Sequence, residues 1–526
     1  MKKTRNKLEM AELAAILERA RGVLSDEDHA MLTSAVDTLA ILSHELEAKG
    51  ASIQRLRRLL FGPSTEKTSR VLGLETAGVV VADKVQEKRP GHGRNGVAAY
   101  TGAERVKVAH ESLTHGAGCL ACARGKVYKQ RSPATLLRVS GLAPLQASIY
   151  ELETLRCNLC GQVFTARAPA GVGTAKYDES AVAMIALLKY GCGLPFNRLE
   201  KLQKSLGIPL PAATQWEVVH EGSRLLEPAY RELVRQGAQG EVIHNDDTTM
   251  KILALEAPQP EKGSTERRGA FTSGIVSRVD GHQIALFFTG RKHAGENLQD
   301  VLAQREQERP APIQMCDALS SNTSGEFDTI VANCMAHARR QFVDVATSFP
   351  DECRHVLETL RDVYRNDDVT RKQAMSPAAR LAFHQQHSKP LMDELKEWLR
   401  EQIDEHRVEP NSGLGQAIAY MRKHWDRLTL FLNREGAPLD NTICERALKK
   451  VILHRKNALF FRTETGARVG DLFMTLIHTA ELCHADPFDY LIALLRHAEE
   501  VPRSPGDWMP WNYQAARDRL APAPPG

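Results

Sequence analysis

The chain of 526 residues is too long for one hydrophobic core, so three or more domains are expected. Its 69 Lys+Arg against 65 Asp+Glu leave a formal charge of +4, and its 42% hydrophobic and 25% charged residues exclude a disordered or fibrous chain. No window approaches the ~18 apolar residues of a membrane span, and MKKTRNKLEM has no apolar stretch behind its basic residues, so no secretion signal is expected. A cytoplasmic protein with no membrane partner follows, in which cysteines stay reduced and Cys-x-x-Cys pairs read as metal or redox sites. So slight a net charge neither demands nor excludes nucleic acid. Clustered cations, such as Arg55, Arg57 and Arg58, or Arg446, Lys449, Lys450, Arg455 and Lys456, suit phosphate contacts, or else simply solvate helix faces.

In chain order, residues 1–62 carry a heptad seam: Leu32, Leu39, Leu46, Ile53 and Leu60, with Leu42 and Leu56 between. This predicts a coiled-coil, leucine-zipper-like helix or a single amphipathic helix on its own domain; Lys49 in the seam and Gly50 beside it weaken the first. Residues 63–115, with GPSTEK and KRPGHGRNG, read as a basic linker. Its Gly91, Gly93 and Gly96 match G-x-G-x-x-G by chance, since no strand precedes and no hydrophobic helix follows.

Residues 116–168 hold Cys119-x-x-Cys122 and Cys157-x-x-Cys160 among short β-like runs. Two such knuckles on one ion give tetrahedral thiolate coordination, the preference of a structural Zn²⁺. No thioredoxin-like βαβ pattern surrounds either pair, which disfavours the redox reading. Residues 169–238 turn helical. LPFNRLEKLQKSLGIPLPAATQWEVVHEGSRLL reads as helix, turn at Gly207–Pro211, helix. It is either a helix-turn-helix presenting Thr214, Gln215 and Glu217 to a major groove or a plain helical hairpin.

Beyond Gly240 strands alternate with helices. EVIHNDDTTMKILAL, GAFTSGIVSRV and QIALFFTG predict three antiparallel strands, then a helix near Glu296–Arg305 and a buried strand at PIQMCDA. That order opens an RNase H-like fold. Residues 239–465 are assigned to this core, with a charged helical insertion over about 345–435, a helix at Asp440–Leu453, and a C-terminal domain and tail over 466–526. The fold class expected is multidomain α+β.

A phosphoryl-transfer nuclease needs carboxylates converging on divalent ions. Asp246 and Asp247 lie on the first candidate strand, Asp317 ends the fourth, and Glu445 lies on the later helix, with Asp440 or Asn441 as its N-cap. Alone each is an acidic residue with an ordinary solvated fate; together they fit one Mg²⁺ or Mn²⁺ site. Asn441, one turn before Glu445, would orient it or touch substrate, and Arg446, Arg455 and Lys456 would meet phosphates. Cys334-x-x-His337, beside Arg339 and Arg340, is either a second metal site with Cys353 and His355, or a place where His337 packs by the active site or contacts DNA.

At this point the chain resembles the large transposase of the insertion sequence 66 family. The landmarks, in order, are RLRRLLFGPSTEK, the two cysteine pairs, LPFNRLEKLQKSLGIPL, VIHNDDT, IQMCD, CMAHARRQF, DNTICERALKKVILHRKNALFF, FMTLIHTAELCHADPFDYL and a late MPWN. The resemblance implies an N-terminal zipper, a zinc-binding domain, a helix-turn-helix region and a DDE core, with Asp246, Asp317 and Glu445 catalytic. Asp247 stands where that family usually has Glu. Ala318 to Asn322 replace its Gly-Tyr and further Tyr, and Met335 replaces a Trp, which marks a divergent member. It also implies a bacterial, nucleoid-associated protein that binds terminal inverted repeats and target DNA, self-assembles to pair two ends, and works with small accessory proteins. A catalytically impaired DNA-binding derivative, or an RNase H-like nuclease on branched DNA, are the competing readings.

Overall fold

The computed structural model describes residues 175–520 apart from 256–268, 324 and 326. Before them it describes short stretches, chiefly 113–118, 124–128, 143–156 and 163–170. The heptad seam beyond Leu32, the Gly91–Gly96 match and all four paired cysteines (Cys119, Cys122, Cys157 and Cys160) lie outside the described residues. The strands β1 (Thr154–Arg156) and β2 (Val163–Thr165) pair antiparallel, Arg156 with Val163. A further antiparallel bridge joins Gly118 and Lys126.

The chain divides into two units. The larger takes the described residues of Val79–Ala338, Asp367–Pro390 and Tyr420–Gly526. It opens with the helices α1 (Glu179–Ala186), α2 (Phe196–Ser205) and α3 (Ala212–Gly237). Asp178 caps α1 through the Ala181 N–H at 2.9 Å. Gly207, at φ +77°, ends α2 where the sequence placed the break.

The centre is a five-stranded sheet of order β5-β4-β3-β6-β7. β3 (Val242–Met250), β4 (Ala270–Val279) and β5 (His282–Gly290) form an antiparallel meander. After α4 (Ala294–Leu302), β6 (Ile313–Cys316) returns parallel to β3, and β7 (Ile330–Asn333) lies parallel to β6. The predicted strands and their pairing sense match the first four. The run KILAL is not strand: Leu253–Leu255 form a 3₁₀ turn. β7 (IVAN) was not among the strands expected from the sequence. Helices follow: α5 (Met335–Val345), α6 (Pro350–Lys372), α7 (Pro377–His387), α8 (Lys389–Asp404) and α9 (Gly413–Lys423). The smaller unit includes Arg339–Asn366 and Leu391–Ala419, and buries Val356, Leu360 and Val363 with Leu395, Leu399 and Ile418.

The chain then gives α10 (Thr442–Ala458), α11 (Glu464–Leu482), α12 (Pro487–Arg496) and α13 (Tyr513–Leu520). Within the segment expected to form the C-terminal domain and tail, residues 503–520 are packed: Trp508 and Tyr513 are buried, and the Tyr490 hydroxyl donates to the Trp508 carbonyl at 3.1 Å.

Helix α11 closes the open edge of β5. An edge strand leaves alternate N–H groups unpaired. Asp471, Thr475, Thr479 and Cys483 stand four residues apart, about 6 Å of helix rise. They meet residues two apart on the strand, about 6.7 Å. Asp471 Oδ2 accepts from Thr289 N–H at 2.7 Å, Thr475 Oγ1 from Phe287 N–H at 3.2 Å, and Thr479 Oγ1 from Ala285 N–H at 3.1 Å. Cys483 Sγ donates to the Gln283 carbonyl at 3.5 Å. Burial pushes the Asp471 carboxyl up to about 8, against the two Thr289 hydrogen bonds that favour its charge. Thr475→Val, isosteric but without the acceptor, leaves the Phe287 N–H buried and unpaired. It is expected to cost about 1–3 kcal/mol, read as a lower urea midpoint at unchanged slope.

Candidate active site

The first acids arise from strand geometry. β3 and β6 are parallel neighbours, with His244 opposite Met315. Two residues further along each strand direction stand Asp246 and Asp317, so both side chains fall on one face at the same sheet end. Glu445 comes from α10, which lies across β3 and β4. Gly274, paired with Asp246, permits that approach: a Cβ there would sit 3.0 Å from Leu448 Cδ2. Cys444 Sγ donates to the Gly274 carbonyl at 3.2 Å, pinning the helix next to Glu445.

Asn322 bridges the two aspartates. Its Nδ2 donates to Asp317 Oδ1 at 2.5 Å and to Asp246 Oδ1 at 3.4 Å. The two carboxylate oxygens are therefore no farther apart than those two bonds laid end to end. Burial pushes the Asp246 carboxyl up to about 7; the Asp247 N–H, 2.8 Å away, opposes this, while the charges of Asp317, Asp247 and Glu445 add to it. The charges that act most on Asp246 are thus all negative. Glu445 Oε1 is buried with no hydrogen-bond partner. An uncompensated set of hard oxygen donors, one of them orphaned, fits Mg²⁺ or Mn²⁺. Asp247 turns away: its Oδ2 meets His293 Nδ1 at 2.8 Å and the Ala294 N–H at 3.4 Å, at the start of α4.

Beneath the acids lies a buried amide network that sequence reasoning missed. Gln314 Nε2 and Asn245 Nδ2 both donate to the Asn322 carbonyl at 2.7 Å, and Gln314 Nε2 also reaches Asn245 Oδ1 at 3.0 Å. Asn333 Nδ2 donates to the Asp317 carbonyl at 3.2 Å. Fully buried amides inside apolar strands are the signal that would have exposed Asn245 and Gln314. Asn322, in a 3₁₀ turn, had none.

The expected supporting residues divide. Asn441 is buried and does not orient Glu445 through its side chain. Its Oδ1 accepts from His244 Nδ1 at 3.1 Å and its Nδ2 donates to the Asn245 carbonyl at 3.1 Å. Asp440, not Asn441, provides the side-chain acceptor at the start of α10, to Thr442 N–H at 3.0 Å. Burial holds His244 down at about 4, so its ring is neutral and its Nδ1 carries the proton that Asn441 Oδ1 accepts. Asn441→Ala strands both partners. It is expected to cost about 2–4 kcal/mol, seen in denaturant unfolding without loss of the sheet.

Arg455 is committed locally: it donates to Thr248 Oγ1 at 3.1 Å, to Thr249 Oγ1 at 2.8 Å and to the Thr249 carbonyl, tying α10 to the end of β3. Arg446 and Lys456 are exposed. His337 Nδ1 lies 3.8 Å from Glu445 Oε1, beside the acids as one reading of it had it. Cys334 joins those two, whereas Cys353 and His355 belong to the other unit. Arg339 and Arg340 also fall in the smaller unit, where Arg339 Nη2 donates to Thr68 Oγ1 at 3.2 Å. Gln215, a groove candidate, is instead buried, donating to the Phe196 and Leu210 carbonyls at 3.0 and 2.9 Å, so it holds the α2–α3 turn. An aromatic ring does stand by Asp317, from elsewhere in the chain: Tyr420, whose phenol burial, followed by the Asp317 charge, pushes up to about 12.

Fold and site together define a mixed α/β protein that brings carboxylates from two adjacent parallel strands and a crossing helix close to one another. Residues 175–469, which contain all three acids, match the family model described as Transposase IS66 family, and the chain belongs to that family. Three proteins of Sinorhizobium fredii are similar along the chain. The uncharacterized protein y4hP is 26% identical, covering 88% of each chain. The uncharacterized protein y4jD is 26% identical over 93% of this chain and 98% of its own. The uncharacterized protein y4qI is 28% identical over 64% of this chain and 62% of its own. Family membership makes this a DNA-processing protein of the transposase type. Among the described residues, no helix is long and apolar enough to cross a membrane.

Proposed function

We propose that the chain is a DDE transposase that binds element ends, cleaves at their 3′ ends and performs strand transfer. The single observation that carries this is that Asp317 and Glu445, far from Asp246 in sequence, both stand close enough to act on its carboxyl, with Asn322 bridging the two aspartates. The sheet order, antiparallel strands on one side of β3 and parallel strands on the other, supports an RNase H-like core. Two Mg²⁺ or Mn²⁺ ions, when bound, supply an activated nucleophile and stabilise the leaving oxygen. Asp246, Asp317 and Glu445 would hold them, and the Asn322 and Asn441 networks keep the acid-bearing strands in register. Water attacks the phosphodiester, breaking its bond to the 3′ oxygen, which leaves as the element's 3′-hydroxyl while the flanking strand keeps a 5′-phosphate; that hydroxyl then attacks a target phosphodiester in line, forming a new phosphodiester and expelling the target's 3′-hydroxyl. Arg446 and Lys456, exposed on α10, would meet phosphates.

The remaining modules follow from the sequence. Cys119, Cys122, Cys157 and Cys160 hold a structural Zn²⁺ in a ribbon within residues 116–168. The β1–β2 pair and the Gly118–Lys126 bridge, which bracket the cysteine pairs in sequence, support this. Residues 1–62 pair copies of the chain, and 169–238 with the zinc module grip the terminal repeats. Pairing two ends requires a homo-oligomer, small accessory proteins of the same element assist it, and the protein acts in the cytoplasm on the bacterial nucleoid.

The test is purified protein with Mg²⁺ and labelled duplexes carrying the inverted repeats that flank its reading frame. Release of 3′-hydroxyl ends and joined products is expected. One observation favours the impaired, DNA-binding derivative: the Asn322 amide occupies oxygens of both Asp246 and Asp317. Binding of the repeats with neither product establishes that reading instead, and preferential cutting of branched duplexes establishes a repair-type nuclease.

A further inference from the structure

Cys334, His337 and Glu445 each offer a ligand atom, and the three atoms lie within 4.8 Å of one another. Cys334 directly follows β7, and His337 lies in the first turn of α5, so the Cys-x-x-His spacing at a strand-to-helix junction turns both side chains to one spot. Glu445 arrives from α10, a hundred residues later in the chain.

Two polar atoms there have no ordinary explanation. His337 Nδ1 and Glu445 Oε1 are both buried and neither has a hydrogen-bond partner. They lie 3.8 Å apart, too far to bond each other. Buried polar atoms without partners are rare and call for a missing one. Bonds of about 2.0–2.1 Å to one tetrahedral ion place nitrogen and oxygen ligands about 3.4 Å apart, so a shift of a few tenths of an ångström suffices. The Asn441 N–H donates to Cys334 Sγ at 3.2 Å, a contact that holds the sulfur in place beside the other two groups.

We propose that Cys334, His337 and Glu445 form a site for a thiophilic divalent cation, Zn²⁺ above all, distinct from the aspartate pair and sharing Glu445 with it. A sulfur, an imidazole nitrogen and a carboxylate oxygen select Zn²⁺ over Mg²⁺, which takes oxygen ligands. Three protein ligands leave a fourth position open, unlike a closed four-cysteine site. Zn²⁺ held here draws Glu445 toward sulfur and away from Asp246 and Asp317. The site therefore sets Zn²⁺ against Mg²⁺ for one carboxylate. This last step rests on the catalytic reading above, whereas the cation site itself does not.

The test is Co²⁺ titration of the full chain, followed by thiolate-to-metal charge-transfer absorption, with equilibrium dialysis of Zn²⁺ for stoichiometry. Cys334→Ser is expected to remove one equivalent of cation and only the weaker, single-thiolate part of the absorption. His337→Gln and Glu445→Gln are expected to weaken that equivalent at least tenfold. Cys334→Ser disturbs a buried position, so the two exposed-edge variants decide the matter if it fails to fold. Equal stoichiometry and affinity in the wild type, His337→Gln and Glu445→Gln overturn the proposal. DNA cleavage is not part of the readout, so an inactive wild type that binds this cation refutes the catalytic reading and leaves the site standing.

Discussion

Replacing Asp246 by Asn lowers Mg²⁺-dependent cleavage of element ends by about a thousandfold or more, while binding of those ends is retained. A metal acting on a phosphoryl oxygen contributes several kcal/mol to the transition state, at tenfold in rate for each 1.36 kcal/mol. The amide keeps the shape of the side chain but removes the charge that holds the ion. Asp317→Asn and Glu445→Gln act on the same ions, so the double variants lose little more than the singles. Asp247→Asn is the contrasting control, because Asp247 is engaged with His293 and the start of α4 rather than with the other acids. Single-turnover cleavage of labelled ends measures the loss, and gel-shift titration measures the binding. Cleavage at more than a tenth of the wild-type rate by Asp246→Asn sinks the assignment.

The same residue yields a large expected effect on stability, with opposite sign. In the metal-free fold, burial and three neighbouring carboxylates raise Asp246 from an ordinary 3.8 to about 7. A carboxyl raised on folding contributes stability that is fully present below about pH 4. That stability falls as pH rises and is gone above about pH 7. The difference amounts to about 4 kcal/mol at most, at 1.36 kcal/mol per unit. Metal-free wild type therefore loses stability as pH rises from 4, and Asp246→Asn makes that slope shallower, leaving the part that Asp471 contributes, and is the more stable protein at pH 8. Millimolar Mg²⁺ or Mn²⁺ reverses the ranking, since cation binding to the folded state stabilises only the wild type. Urea melts across pH, with and without Mg²⁺, check both halves. A wild type indifferent to Mg²⁺ at pH 8 contradicts the cation site even if the pH slope is found.

Much of the fold was legible because it is written in local patterns. VIHND, AFTSGIVSRV and HQIALFF carry the β-branched and aromatic runs of buried strands, and Gly207 marks a helix end. The acids were legible through their positions on those elements. What was not legible lies in side chains whose role depends on a distant partner. Asn441 looked like a cap or an orienting group for Glu445, because helical spacing was the only geometry visible; its true partners, His244 and Asn245, are nearly two hundred residues away. Gln215 looked like a base reader and proved to be a buried clasp. The terminal stretch around Trp508 looked loose because no periodicity marks it, yet its rings fill the core.

By itself the sequence determined the first four strands of the sheet, the element on which each acid stands, and the family motifs, all of which depend on residues within a few positions of one another. Only the tertiary structure decided which side chains meet. It brought Asn322 between two aspartates, lined up Asp471, Thr475, Thr479 and Cys483 along an open strand edge, and set Cys334 and His337 against Glu445. The physical reason is one of range. Hydrophobic period and capping act over single turns, whereas burial and electrostatic coupling depend on distances that exist only once the chain has closed.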